Sequence, residues 1–186
     1  MRQTVAAIRR IDPHREIFVA GLDRGNDPLP ALDDLNIIQT CHGYQPMSLT
    51  HHQTIRWGSR SGAAAPVYPD TASQGITWNR AALQRNFAPW RDVEANGTPV
   101  FVSDFGCYNK VDNDSALAWF GDLLGLFRDY GWGYCLGSFA GEFGVANHGR
   151  PGTRYETMDG YRIDRDLFEL LLECRTADGS AVLSAS

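Results

Sequence analysis

Four short apolar runs punctuate the chain: Glu16 to Gly21 (EIFVAG), Ile37 to His42 (IIQTCH), Val100 to Asp104 (VFVSD) and Tyr134 to Phe139 (YCLGSF). Each has strand length, is rich in β-branched or aromatic residues and is bounded by Gly, Pro, Asn or Asp, so each predicts a strand. Elsewhere the apolar period becomes helical. Leu117, Phe120, Leu124 and Phe127 share one helix face, after candidate caps Asn113 and Asp114 and before the stop Gly131. Leu167, Leu171 and Cys174 predict a second helix capped by Asp164. Leu83, Phe87 and Trp90 predict a third, disturbed by Pro89 and stopped by Asn96 and Gly97. Val5, Ile8 and Ile11 mark the end of another, halted by Asp12 and Pro13.

Strands alternating with helices predict a parallel sheet, because parallel neighbours need a crossover, and the class is α/β. The spacing from the third run to the fourth matches the repeat of a (β/α)8 barrel, although a doubly wound sheet shares it. No GxGxxG or P-loop follows the first run; GLDRGN at Gly21 to Asn26 has neither spacing. Polar residues gather instead at the ends of the runs: Asp23, His42, Tyr44, Asp104 and Ser138. In a barrel that end carries the chemistry. The segment Gln45 to Thr77, rich in Pro, Gly and aromatics, is then a long loop over the same face. Its Trp57 and Tyr68 are either sugar platforms or buried anchors.

Length and a 43% hydrophobic content suit one folded domain, expected over residues 1–175 with a flexible tail over 176–186. A net charge of -5 without a basic run gives no footprint for nucleic acid or an anionic membrane, and a neutral substrate fits better. No apolar stretch is long enough to span a bilayer, and MRQTVAAIRRIDPHREI lacks the apolar region of a secretory signal, so the reading is soluble and cytoplasmic. Cys41, Cys107, Cys135 and Cys174 lack metal-ligand or disulfide spacing and are expected to be buried free thiols. No metal or cofactor is expected.

Four segments carry a resemblance to a known family. CHGYQPMSLTHH (Cys41 to His52) resembles a strand ending in His-x-Tyr followed by Thr-His-Gln, and TPVFVSDFGCYNK (Thr98 to Lys110) resembles Pro-Val-x-Val-Gly-Glu-Phe-Gly. YGWGYCLGSFAGEFGV (Tyr130 to Val145) resembles an eighth-strand segment, and YETMDGYRIDRDLFELL (Tyr155 to Leu171) a closing helix. All four, in this order, are features of glycoside hydrolase family 5, which holds many cellulases and whose members are often secreted. The resemblance implies a (β/α)8 TIM-barrel fold, present as a half-barrel of strands five to eight with their helices.

Retaining glycosidases need two carboxylates about 5 to 5.5 Å apart, one to attack and one to protonate the leaving oxygen. The resemblance places the nucleophile at Asp104, where the family has the longer Glu, and puts the partner glutamate ahead of Met1. Retraction of a carboxylate by about 1.5 Å can cost on the order of 100-fold in rate. Gly137 takes the place of the family's stacking tryptophan. His42 and Tyr44 match substrate-holding residues, Ser138 and Trp57 are further substrate-binding candidates, and the loop carboxylate Glu142 is the second catalytic candidate. The implied activity is hydrolysis of β-1,4-glycosidic bonds in a β-glucan or oligosaccharide. The alternatives are an inactive carbohydrate-binding pseudoenzyme and a half-barrel scaffold. A half-barrel would expose two strand edges and inward residues such as Val100 and Val102, so a homodimer completing eight strands is expected.

Overall fold

The computed structural model describes residues 1–54 and 65–174. Its centre is a parallel sheet of four strands: β1 (Phe18–Ala20), β2 (Ile38–His42), β5 (Val100–Asp104) and β6 (Gly133–Tyr134), adjacent in that order. Between β2 and β5 lie a short helix α3 (Met47–Thr50), a hairpin of β3 (Thr71–Ser73) and β4 (Ile76–Trp78), and helix α4 (Arg80–Ala95). Helix α5 (Asn113–Tyr130) crosses from β5 to β6, α1 (Arg2–Ile11) precedes β1, a single turn α2 (Leu22–Gly25) follows it, and α6 (Arg165–Glu173) closes the chain.

Helix α5 forms because its apolar stripe has a sheet to bury against: Trp119, Phe120, Leu123, Leu124 and Phe127 are all fully buried. Its cap is Asp112, one residue before the expected pair, since the Asp112 carboxylate accepts from Ser115 N–H at 2.9 Å. Gly131, at φ +70, ends it where a residue with a Cβ would be strained. Asp164 caps α6 as its sequence position predicts, accepting from Leu167 N–H at 3.0 Å.

Several expectations are corrected. The fourth strand is only Gly133–Tyr134, paired with Phe101 and Val102, although β5 runs on to Asp104. Beyond it, two isolated hydrogen bonds, Cys135 N–H to Val102 O and Gly137 N–H to Phe105 O, keep the chain alongside. The segment expected as a closing helix is helical only from Arg165. Before it β7 (Tyr155–Met158) and β8 (Tyr161–Asp164) form an antiparallel hairpin turned by Asp159 and Gly160, both at positive φ. An Asp-Gly pair between alternating residues is a hairpin signal, and here it overrides the helical reading.

Val100 and Val102 are buried in the main core beside Phe105 and the α5 residues, on the helix-covered face of the sheet. Strand alternation therefore puts Phe101 on the other face, edge-to-face with Phe18 at 5.6 Å between centroids. That face is the open one, with Phe18 52% exposed. Among the cysteines, Cys135 is exposed, against expectation, while Cys41, Cys107 and Cys174 are buried. Burial pushes the Cys107 thiol up to about 12 and raises Cys41 as well, so neither is a nucleophile. Among the described residues no helix is long and apolar enough to cross a membrane. The tail expected over 176–186 lies outside the described residues.

Candidate active site

The C-terminal ends of β1, β2 and β5 open into one cavity of about 1090 Å³. His42, Tyr44, Asp104, Ser138 and Glu142 all line it, joined by Asp23, Arg24, His51, Trp78, Tyr108 and Phe143. Trp57 lies outside the described residues. Tyr68 is not part of the site: it is 4% exposed, with its hydroxyl donating to Asp122 at 2.8 Å.

Backbone geometry brings the two key strands into register. Cys41 is opposite Val102 but His42 is opposite Asp104, so one extra residue, Ser103, is accommodated on β5 as a bulge. A bulge flips the parity of the side chains beyond it. Here it sets His42 beside Asp104, and Gly43 N–H donates to Asp104 O at 2.8 Å to hold the step. After β1, Asp23, Arg24 and Gly25 adopt three successive left-handed conformations, φ 42, 57 and 74. A Cβ on Gly25 would meet the His42 ring at 2.7 Å, so this turn is the seat on which the imidazole rests.

The centre of the site is a hydrogen bond. Tyr44 Oη donates to Asp104 Oδ1 at 2.6 Å, the short distance of a hydroxyl bound to a carboxylate. Burial, reinforced by that carboxylate, pushes the Tyr44 phenol well above its ordinary range, so it stays a protonated donor.

His51 is the residue that sequence reasoning passed over, although it stands in the Thr-His-Gln resemblance. Thr50 Oγ1 gives its single proton to Tyr44 O at 2.6 Å. The 2.9 Å contact between Thr50 Oγ1 and His51 Nδ1 is therefore donated by the imidazole, and Nε2 keeps the lone pair. Burial holds the His51 pKa down to about 4, so at neutral pH it is an uncharged acceptor. Its ring lies 5.1 Å from Tyr44 and 5.1 Å from Phe143. Among the described residues no cluster of three His, Cys, Asp or Glu side chains is placed to hold a metal ion.

The arrangement is a strand-end carboxylate held by a tyrosine, with histidines and aromatics around it. The family model for cellulase, glycosyl hydrolase family 5, matches residues 1–140. The chain belongs to glycosyl hydrolase family 5. A solved glycoside hydrolase is 45% identical with a TM-score of 0.88, aligned over 94% of this chain and 52% of its own. The family 5 barrel is also met at lower identity. An endoglucanase aligns at 19% identity and TM-score 0.66 over 91% of this chain and 52% of its own. Endoglucanase Cel5A of the hyperthermophile Thermotoga maritima aligns at 22% and 0.66, over 91% and 52%. These two speak to the fold alone. The chain thus spans about half the length of these family 5 structures, consistent with a partial barrel. No curated protein matches it.

Proposed function

We propose that the chain supplies the nucleophile side of a β-1,4-glycan hydrolase site. The observation that carries this reading is the 2.6 Å Tyr44–Asp104 hydrogen bond on the cavity wall. In this reading Asp104 attacks the anomeric carbon as the glycosidic C–O bond to the leaving oxygen breaks, or takes a proton from the water that displaces that oxygen, and Tyr44 holds the carboxylate. His42 and Ser138 hold sugar hydroxyls, and Glu142 is a further carboxylate on the cavity wall. A β-glucan as substrate is supported by family membership and by a relative: Thermotoga maritima Cel5A has been solved with cellobiose. The test is nitrophenol release from an aryl β-cellobioside, whose good leaving group needs little acid assistance. Turnover by the chain that Asp104→Asn abolishes is expected; an Asp104→Asn variant as fast as the parent would overturn the assignment.

A second reading, glycan binding without turnover, is favoured by a specific feature. Asp104 has one methylene fewer than the family's Glu and lies against Gly137 and Tyr44. A flat nitrophenol baseline together with retained oligosaccharide binding would select this reading.

A further inference from the structure

Gly137 presents no side chain beside Asp104, so a sugar held at that carboxylate has no aromatic surface at this position of the wall. An aromatic surface exists elsewhere on the same wall. Phe143 and Tyr108 both line the cavity, are each only partly buried, and stand 5.2 Å apart with a 40° tilt. Phe143 also approaches His51 at 5.1 Å and Tyr44 at 6.4 Å, which makes it continuous with the ring that holds Asp104.

We propose that Phe143 and Tyr108 form the sugar-stacking platform of this site, with Glu142 as its hydroxyl acceptor. The inference rests on the reading of the cavity as a β-glycan site. Its ligand is a neutral β-linked oligosaccharide, whose apolar C–H face packs on the rings while its hydroxyl edge meets the carboxylate.

The site is built, not incidental. Phe143 is seated over Gly106, two residues past Asp104; a Cβ there would lie 3.2 Å from Phe143 O and 3.5 Å from its Cβ. The loop that bears Phe143 is closed on itself. Val145 and Ala146 N–H both donate to Phe139 O, Gly141 N–H donates to Ala146 O and Gly144 N–H donates to Gly141 O, at 2.8 to 3.0 Å. A Cβ on Gly144 would fall 2.5 Å from Phe139 O, so that closure requires glycine. Tyr108 is pinned from its backbone, whose N–H donates to Thr50 O at 2.9 Å, and from its hydroxyl, which donates to Glu142 Oε1 at 3.2 Å. Rings and carboxylate are thus held before any ligand arrives, which limits the ordering cost of binding.

The test is calorimetric titration with cellotetraose of the parent chain and of Phe143→Leu, Tyr108→Leu and Tyr108→Phe, each checked for native circular dichroism. The leucines keep apolar volume but remove the ring face. Each is expected to weaken binding about tenfold, and Tyr108→Phe, which frees only Glu142, about two- to threefold. Saturation-transfer NMR on the parent chain gives a readout independent of variant folding. Aromatic irradiation should pass most strongly to the pyranose ring C–H protons of one face. Folded leucine variants with parental affinity, or transfer spread evenly over the sugar, would overturn the platform and leave the glycan site standing. No binding by the parent to cellotetraose or any β-glucan would overturn the glycan reading itself.

Discussion

The Asp104 carboxylate fills the space that a side chain at position 137 would need. A Cβ on Gly137 would lie 2.1 Å from Asp104 Oδ1 and 2.7 Å from Tyr44 Oη, distances no real methyl group tolerates. The two residues are therefore one unit, with the glycine three residues past β6 making room for the aspartate on β5. Gly137→Ala is expected to destabilise the chain by about 1 to 3 kcal/mol through overpacking and to break the Tyr44 hydrogen bond. In an Asp104→Ala background part of that cost should vanish, because the closest clash is gone while the one with Tyr44 Oη stays. Urea unfolding of the four members of this cycle measures it, and additive effects would dissolve the coupling.

Tyr44→Phe removes the donor to Asp104 and leaves the phenyl ring in place. A hydrogen bond to a charged group contributes about 1.5 to 3 kcal/mol, so if Asp104 is the attacking group, nitrophenol release should fall on the order of tenfold or more. The thermal midpoint should move little, since Tyr44 is half-buried at the cavity. A large loss of midpoint at unchanged rate would make the tyrosine a structural residue only.

His51 makes stability depend on pH in a defined direction. Its folded pKa is held near 4, against 6.5 for the free imidazole. Between these values the unfolded chain takes up a proton that the folded chain refuses, so stability falls as pH drops from 6.5 towards 4. Above 6.5 both states are neutral and the contribution is flat. His51→Gln should remove this component, and thermal melts of the two chains from pH 7 to pH 4 should diverge there. Parallel curves would show that His51 is solvated.

A second polar cluster holds the closing elements. Arg150 N–H donates to His148 Nδ1 at 3.1 Å, so His148 Nε2 carries the proton and donates to Asp164 Oδ2 at 3.0 Å. Arg150 Nη2 reaches Cys107 O at 2.9 Å, tying the β7–β8 hairpin and α6 to the loop after β5. Asp164, which is fully buried, also caps α6. Asp164→Ala is expected to cost about 3 to 5 kcal/mol in urea unfolding, with glycan affinity of the folded fraction unchanged. A loss under 1 kcal/mol would mean that water replaces the carboxylate.

Strands β1 and β6 are the edges of the four-stranded sheet, and Phe18 is half-exposed on its open face. We propose that a second copy pairs with both edges, setting β6 of each beside β1 of the other. Sedimentation equilibrium should then give twice 20.6 kDa at micromolar concentration. A natively folded species of 20.6 kDa would overturn the dimer.

Residues adjacent in the chain carried most of what was legible from sequence. The α/β class, three of the four strand positions, the α5 stripe and the Asp164 cap follow from period and local capping chemistry, which need no distant partner. So does the gathering of His42, Tyr44 and Asp104, because each ends or follows a parallel strand and parallel strands share one end. The sequence also carried the family 5 motifs. Tertiary structure alone decided which way the strands face. Alternation in VFVSD separates Val100 and Val102 from Phe101 and Ser103 without saying which pair meets the helices. The bulge at Ser103, visible only against β2, then reverses parity and turns Asp104 towards His42. The platform of Phe143 and Tyr108 was hidden for the same reason: 35 positions separate the two rings in the chain. They meet because the 139–146 loop closes through its own backbone hydrogen bonds and lays Phe143 over Gly106.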